Sequence, residues 1–225
     1  MTDEEFDAAL IRAAFELGAE AGWGQVTAGA AARHGALDLR RARARFSSRD
    51  AVLAGFGRLA DAHALNHALQ EGSTKDRLFD ILLRRFDFLQ MHRRGVAALM
   101  RSLPLDPLVG AWLTGETLKS MGWMLEGAGV ASAGLRGEIA KRGLAAVWAW
   151  GMRAWLRDES EDLSATMAAV DVALARAEQI ASRFSNDGFV AETETPYTEP
   201  SDLEGSIHPV DLPLTVANDP PPEII

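Results

Sequence analysis

Four arginines stand within six residues: Arg40, Arg41, Arg43 and Arg45. A guanidinium is planar, permanently charged and offers five donors in a fixed fork, which suits a phosphate oxygen or the O6/N7 edge of guanine. The surrounding stretch, EAGWGQVTAGAAARHGALDLRRARARFSSRDAVL over residues 20–53, reads as two short helices about a tight turn at Gly35-Ala36. At about 100° per residue the four arginines cannot share one face. Arg41 and Arg45 share one, and Arg40 and Arg43 share another. Such a helix can divide its contacts between backbone phosphates and base edges. A bidentate arginine–guanine pair is worth about 1–3 kcal/mol of discrimination. Thr27, with the free amides that open the second helix, suits a further phosphate oxygen. A solvated basic face with no nucleic-acid role is the alternative that the residues alone leave open.

Other clusters offer less. His63, His67 and Glu71 have helical spacing, but one helix face rarely closes a metal site; they read as a solvated face, and no metal is expected. The glycines of GAGVASAG follow a predicted helix, whereas a dinucleotide loop follows a strand, so no cofactor is expected. Asp158, Glu159, Glu161 and Asp162 read as a cap and a solvated turn at a helix junction. His34 and His92 stand alone. No GxSxG, HExxH, CxxC or Walker pattern is present. Nothing pairs a nucleophile with its base, so no catalytic residue is nominated and an enzyme is not expected.

The net charge of −9 opposes a polyanionic partner only until its distribution is considered. From Asp187 to Ile225 there are nine acidic residues and no Lys or Arg, and the other 186 residues hold 23 of each sign. Between Arg33 and Arg58 seven arginines face only Asp38 and Asp50. Screening limits electrostatic reach to about 8 Å at physiological salt, so the local patch matters more than the total. There is no cysteine, which fits a reducing cytosol, and a cytoplasmic location is expected. The acidic amphipathic start lacks the form of a secretion signal, and no run of about 18 apolar residues predicts a membrane span.

Proline sets the boundaries. None precedes Pro104; Pro104 and Pro107 lie close together, and the other seven lie at or beyond Pro196. Helix-compatible sequence therefore runs to about residue 184, and the acidic, Pro-rich remainder (185–225) reads as a disordered tail. The periodicity predicts an all-α chain of nine helices. The first spans about 3–21, with Phe6, Leu10 and Leu17 on one face. Thr27 caps a second at about 28–34, and Asp38 caps a third at about 39–45. Ser47 and Asp50 have capping-box spacing and open a fourth that reaches about residue 69; Ser73 and Asp76 open a long fifth, about 74–100. In that fifth helix Arg84, Arg85, Arg93 and Arg94 fall largely off the apolar face. Two short helices follow, at about 108–113 and 116–126, and then two long ones, at about 135–156 and 163–183. The second helix holds Gly29, which costs about 1 kcal/mol against alanine, and offers little apolar bulk, so loose packing is expected there.

These residues resemble the TetR-like (tetracycline-repressor-type) regulators. That family places a Gly-aromatic pair after the first helix and a Thr at the start of the second. A Phe nineteen positions on ends the recognition helix, and a basic residue three further touches phosphate. Gly22-Trp23, Thr27, Phe46 and Arg49 occupy those places, and Leu37 and Ala42 stand where the recognition helix packs down. Where the family has Ala then Gly at the turn, this chain has Gly35 then Ala36. The resemblance implies a helix-turn-helix DNA-binding domain over residues 1–58, and Thr27, Leu39, Arg40, Arg41, Arg43, Arg45 and Arg49 are its DNA-binding candidates. It implies a helical ligand-binding and dimerisation domain over residues 59–184.

Five of the six tryptophans fall between residues 112 and 155. Trp112, Trp123, Met124, Trp148, Met152 and Trp155 are candidates to line a pocket for a small apolar or amphipathic effector, or else they fill a core. The stripe Leu163, Met167, Val170, Leu174 and Ala177 is widened by Ala165, Ala168, Ala169 and Ala173. It fits a homodimer through the last two helices, or packing within one subunit. The implied function is a ligand-responsive repressor that binds a palindromic operator as a dimer. Residues 142–180 also resemble TetR-like ubiquinone-biosynthesis factors, which carry isoprenoid lipid on the same fold without binding an operator.

Overall fold

In a computed structural model the chain is described over residues 1–187, which form nine α-helices and no strand. The expectation for the tail falls outside the described residues, apart from 185–187, which continue the last helix.

Helix α1 (Asp3–Ala21) opens with a capping box. The Thr2 hydroxyl accepts from the Glu5 amide at 3.2 Å, and the Glu5 carboxylate accepts from the Thr2 amide at 2.7 Å. Its inner face buries Phe6, Leu10, Ile11 and Phe15. Gly22 ends it at φ +84°, a backbone that glycine adopts without penalty. Trp23 then turns back beneath α1. A Cβ on Gly18 would lie 2.8 Å from the indole, and the indole Nε1 donates to the Gly95 carbonyl at 3.0 Å.

Helices α2 (Ala28–His34) and α3 (Leu39–Arg45) are the two short elements expected, capped as expected by Thr27 and Asp38. Their packing is tighter than the composition suggests. Ala31, Ala32 and Ala42 have no exposed surface, because small side chains let the three helices approach closely. A Cβ on Gly35 would stand 2.9 Å from that of Ala13, so this position needs glycine. Ala36 must then supply the left-handed turn, at φ +51°, where an L-residue is strained by roughly 1–2 kcal/mol.

The later elements are α4 (Arg49–Leu65), α5 (Thr74–Met91), α6 (Arg93–Ser102), α7 (Pro107–Gly127), α8 (Gly134–Trp155) and α9 (Ser164–Asp187). The number nine is recovered with two compensating differences. The long helix predicted over 74–100 is broken at His92 into α5 and α6, and the two short helices predicted before residue 126 are one helix, α7. Ser48, not Ser47, caps α4. Helix α4 stops at Leu65 and His67 takes φ +57°, so the helical register that would align His63, His67 and Glu71 does not persist.

Buried apolar side chains from Phe6 to Leu174 form one continuous cluster, and α4 runs through the expected domain boundary at residue 58. The Phe15 ring stacks on Phe56 at 3.9 Å, and Phe56 meets Phe88 at 5.3 Å, tying α1 to α4 and α5. A Cβ at Gly95 would meet the Phe15 carbonyl at 2.5 Å, so α6 lies close against α1. Helix α9 packs on α8 and α5, with Lys75 paired to Asp171 at 2.7 Å.

Candidate nucleic-acid interface

Helix α3 is seven residues long and buries only Ala42. Phe46 closes it and is buried beneath it. The Asp38 carboxylate accepts from the Arg41 amide at 2.6 Å, and the Thr27 hydroxyl accepts from the Ala30 amide at 3.0 Å, so both short helices have fixed N-termini. Thr27 is exposed and keeps its hydroxyl proton for an outside acceptor. Leu39 is half exposed at the start of α3.

The four arginines divide into two pairs, as their spacing demands, and the pairs have different surroundings. Arg40 and Arg43 are exposed and have no hydrogen-bond or ion-pair partner among the described residues. Arg41 and Arg45 turn toward α1. One Asp3 oxygen takes Arg41 Nη2 at 2.5 Å and the other takes Arg45 Nη1 at 2.6 Å. Asp7 grips Arg45 with both oxygens, one on Nε and one on Nη2 at 2.6 Å. Arg41 also donates to the Thr2 carbonyl at 2.7 Å and lies 4.5 Å over the Phe6 ring. The hydrogen bond from Arg41, helped by the Arg45 charge, lowers the pKa of Asp3, and the bond to Asp7 raises that of Arg45. Arg49, the expected phosphate contact, pairs with Asp106 at the N-terminus of α7, at 3.0 Å.

Thus two of the six expected basic and hydroxyl contacts carry uncommitted charge, and three are held by carboxylates of the same chain. The sequence contained a signal for this arrangement. Asp3 and Asp7 stand one turn apart on α1, matching the one-turn spacing of Arg41 and Arg45 on α3.

The expected effector residues are dispersed. Trp155, Met124 and Trp148 are buried; Trp112 and Met152 are half-buried; Trp123 is 65% exposed. Trp148 stacks on Phe86 at 4.4 Å, and Trp155 Nε1 donates to the Gln90 side chain at 3.0 Å. None of the six lines either of two open clefts of about 320 and 330 Å³, which border Leu163 and α1 respectively. Sequence reasoning missed a charged group in this region. Arg85 lies buried, paired with Asp61 at 3.0 Å and set 4.5 Å over the Trp148 ring. Its position between Leu82 and Leu89 on the apolar face was the available clue.

The expected dimer stripe is also divided. Leu163, Val170 and Leu174 are buried within the subunit. Among the described side chains, Leu135, Ile139 and Trp150 on α8 and Val172 and Ile180 on α9 are large apolar residues left exposed. No described helix is long and apolar enough to cross a membrane.

No family model and no curated protein sequence matches the chain. Solved structures do. The chain is similar to a TetR transcriptional regulator from Nitrosomonas europaea, with a TM-score of 0.61 and 21% identity over 77% of this chain and 98% of that one. It is similar to a TetR-family transcriptional regulator from Streptomyces coelicolor, with a TM-score of 0.56 and 17% identity over 84% of this chain and 87% of that one. With its three short-spaced N-terminal helices and six that follow, the chain has a TetR-like fold.

Proposed function

We propose that the chain is a DNA-binding transcriptional regulator of TetR type, not an enzyme, acting in the cytoplasm as a homodimeric, ligand-responsive repressor on a palindromic operator. The observation that carries this reading is the pair Arg40 and Arg43, exposed and uncommitted on a short helix whose packing face is fixed. Both solved likenesses are named as transcriptional regulators, which supports it. Leu135, Ile139, Trp150, Val172 and Ile180 give α8 and α9 an apolar outer face suited to a twofold four-helix bundle. Such a dimer would set two copies of α3 on successive major grooves, about 34–36 Å apart. A small apolar or amphipathic effector among the tryptophan-bearing helices would favour one of two dimer conformers, and DNA affinity would change by linkage.

The test is duplex binding by fluorescence anisotropy, with the region upstream of the gene as probe. Arg40→Ala plus Arg43→Ala is expected to weaken binding by tenfold or more, roughly the worth of two lost phosphate or base contacts. Affinity no greater than that of a generic acidic protein at low salt overturns the reading.

A second reading, a lipid-binding accessory protein of ubiquinone biosynthesis on the same fold, has its own support. Asp3 and Asp7 neutralise half of the α3 arginines, and Leu105 and Leu108 stand 88% and 83% exposed before and within α7. Native mass spectrometry after mild extraction separates the two. A co-purified quinone-like lipid on a protein that ignores duplex DNA favours the second.

A further inference from the structure

We propose that Asp3 and Asp7 compete with DNA phosphates for Arg41 and Arg45, so that α3 meets a duplex with Arg40 and Arg43 as its uncommitted charges. The inference rests on the DNA-binding reading above and assigns opposite parts to the two arginine pairs: Arg40 and Arg43 touch DNA, and Arg41 and Arg45 are positioning residues that hold α3 on α1.

The geometry is that of an internal phosphate substitute. Two carboxylates one helical turn apart offer four anionic oxygens to two guanidinium forks. Asp3 spans both arginines, and Asp7 takes Arg45 in the two-pronged manner that an arginine otherwise uses on phosphate. Backbone carbonyls of Met1 and Thr2 accept further donors of Arg41. The capping box at Thr2 and Glu5 keeps the first turn of α1 wound, so Asp3 is presented on a fixed scaffold. The carboxylates are delivered by the fold itself, whereas a phosphate must displace them and lose freedom on arrival. Asp3 and Asp7 leave Arg41 and Arg45 electrically satisfied, and only the outer pair has counterions to release.

Counterion release makes this measurable, because each arginine that neutralises a B-DNA phosphate adds about 0.9 to the slope of log affinity against log salt. Anisotropy titrations of the full chain with one generic duplex, from about 0.05 to 0.3 M salt, give that slope. Asp3→Asn plus Asp7→Asn is expected to raise affinity about tenfold at the lowest salt and to steepen the slope by up to about two. Arg40→Ala plus Arg43→Ala should flatten it by up to about two, and Arg41→Ala plus Arg45→Ala should leave it unchanged even where affinity falls. A merely structural role for the carboxylates would not steepen the slope. Should the double Asn variant fail to fold, Asp3→Asn alone releases Arg41 while Asp7 keeps Arg45, and the expected steepening is about one. Binding by the parent with no steepening in either Asn variant overturns the proposal and leaves the DNA-binding reading standing. A silent parent with an Asn variant that binds would show the carboxylates blocking Arg41 and Arg45, but it overturns the DNA-binding reading for the natural chain and with it the part given to Arg40 and Arg43. Silence from both overturns the two together.

Discussion

Two Asp–Arg clusters in this molecule use the same ions and differ in access to water. At the surface, Asp3 and Asp7 hold Arg41 and Arg45; in the interior, Asp61 holds Arg85, and the Ser120 hydroxyl donates to Asp61 at 2.6 Å and accepts from Arg85 at 3.2 Å. The Asp3 side chain is 63% exposed and that of Arg85 is 8% exposed. The pKa directions follow. Its partner Asp7 raises Arg45, whereas burial lowers Arg85 against the pull of Asp61. In the first cluster the partner decides, and in the second, desolvation decides. The buried cluster pins α4, α5 and α7 to one another and rests under Trp148, whereas the surface cluster lies within reach of water and mobile ions.

The most direct way to break this contrast is to remove one buried partner. Asp61→Ala leaves a guanidinium enclosed without its counter-charge and is expected to lower unfolding stability by about 3–5 kcal/mol, read from urea denaturation. A loss below about 1 kcal/mol would mean that water or a rearranged Ser120 compensates, and the buried cluster would not be a pin.

Arg85 also marks where the sequence ceased to be legible. Helix starts were readable at three caps with a local chemical reason, Thr27, Asp38 and the Ser73–Asp76 box, and missed by one residue at α4, where Ser48 caps instead of Ser47. The break at His92 was not, because no proline marks it and Gly95 stands three residues on, within α6. It is imposed by tertiary contacts: Gly95 seats against α1, and the Arg93 guanidinium reaches the carbonyls of Trp155 and Asp158 at 2.9 and 2.5 Å. Conversely, the gap expected between 113 and 116 is absent: Thr114 returns its hydroxyl to the Gly110 carbonyl at 2.9 Å and α7 continues. The candidate interface was legible as a set of four arginines on two faces. The partner each face would find depended on how α1 lies against α3, and helical periodicity within either element does not contain that.

A third site sharpens the contrast, its carboxylate being buried but served by neutral donors. Asp158 takes the amide and hydroxyl of Thr166, both at 2.7 Å, and the amide and hydroxyl of Ser160. Burial opposes its charge, yet these hydrogen bonds hold its pKa down to about 2. Asp158→Ala is expected to cost about 2 kcal/mol at neutral pH, since two buried donors lose their acceptor at the entry to α9. The folded pKa lies below the unfolded value of 3.8, so this stabilisation is complete above pH 3.8 and drains away as pH falls toward 2. The parent and variant should therefore converge in stability over that window. A difference that persists below it would assign the effect to packing rather than to the charge.

The smallest effect should come from the surface cluster, and its dependence on salt is the sharpest discriminator. Asp7→Asn removes the two-pronged partner of Arg45 but leaves Asp3 in place and exposes both groups to water, which hydrates them at little cost. Its urea midpoint should move less than that of Asp158→Ala. Raising salt from about 0.05 to 0.5 M should erase much of that shift, because the pair lies within the reach of mobile ions. The Asp61→Ala shift should be nearly indifferent to the same change, since ions do not enter the core around Trp148. If the two variants responded to salt alike, access to water would not be what separates the clusters. Arg41 and Arg45 would then be as fixed as Arg85, and no phosphate could compete for them.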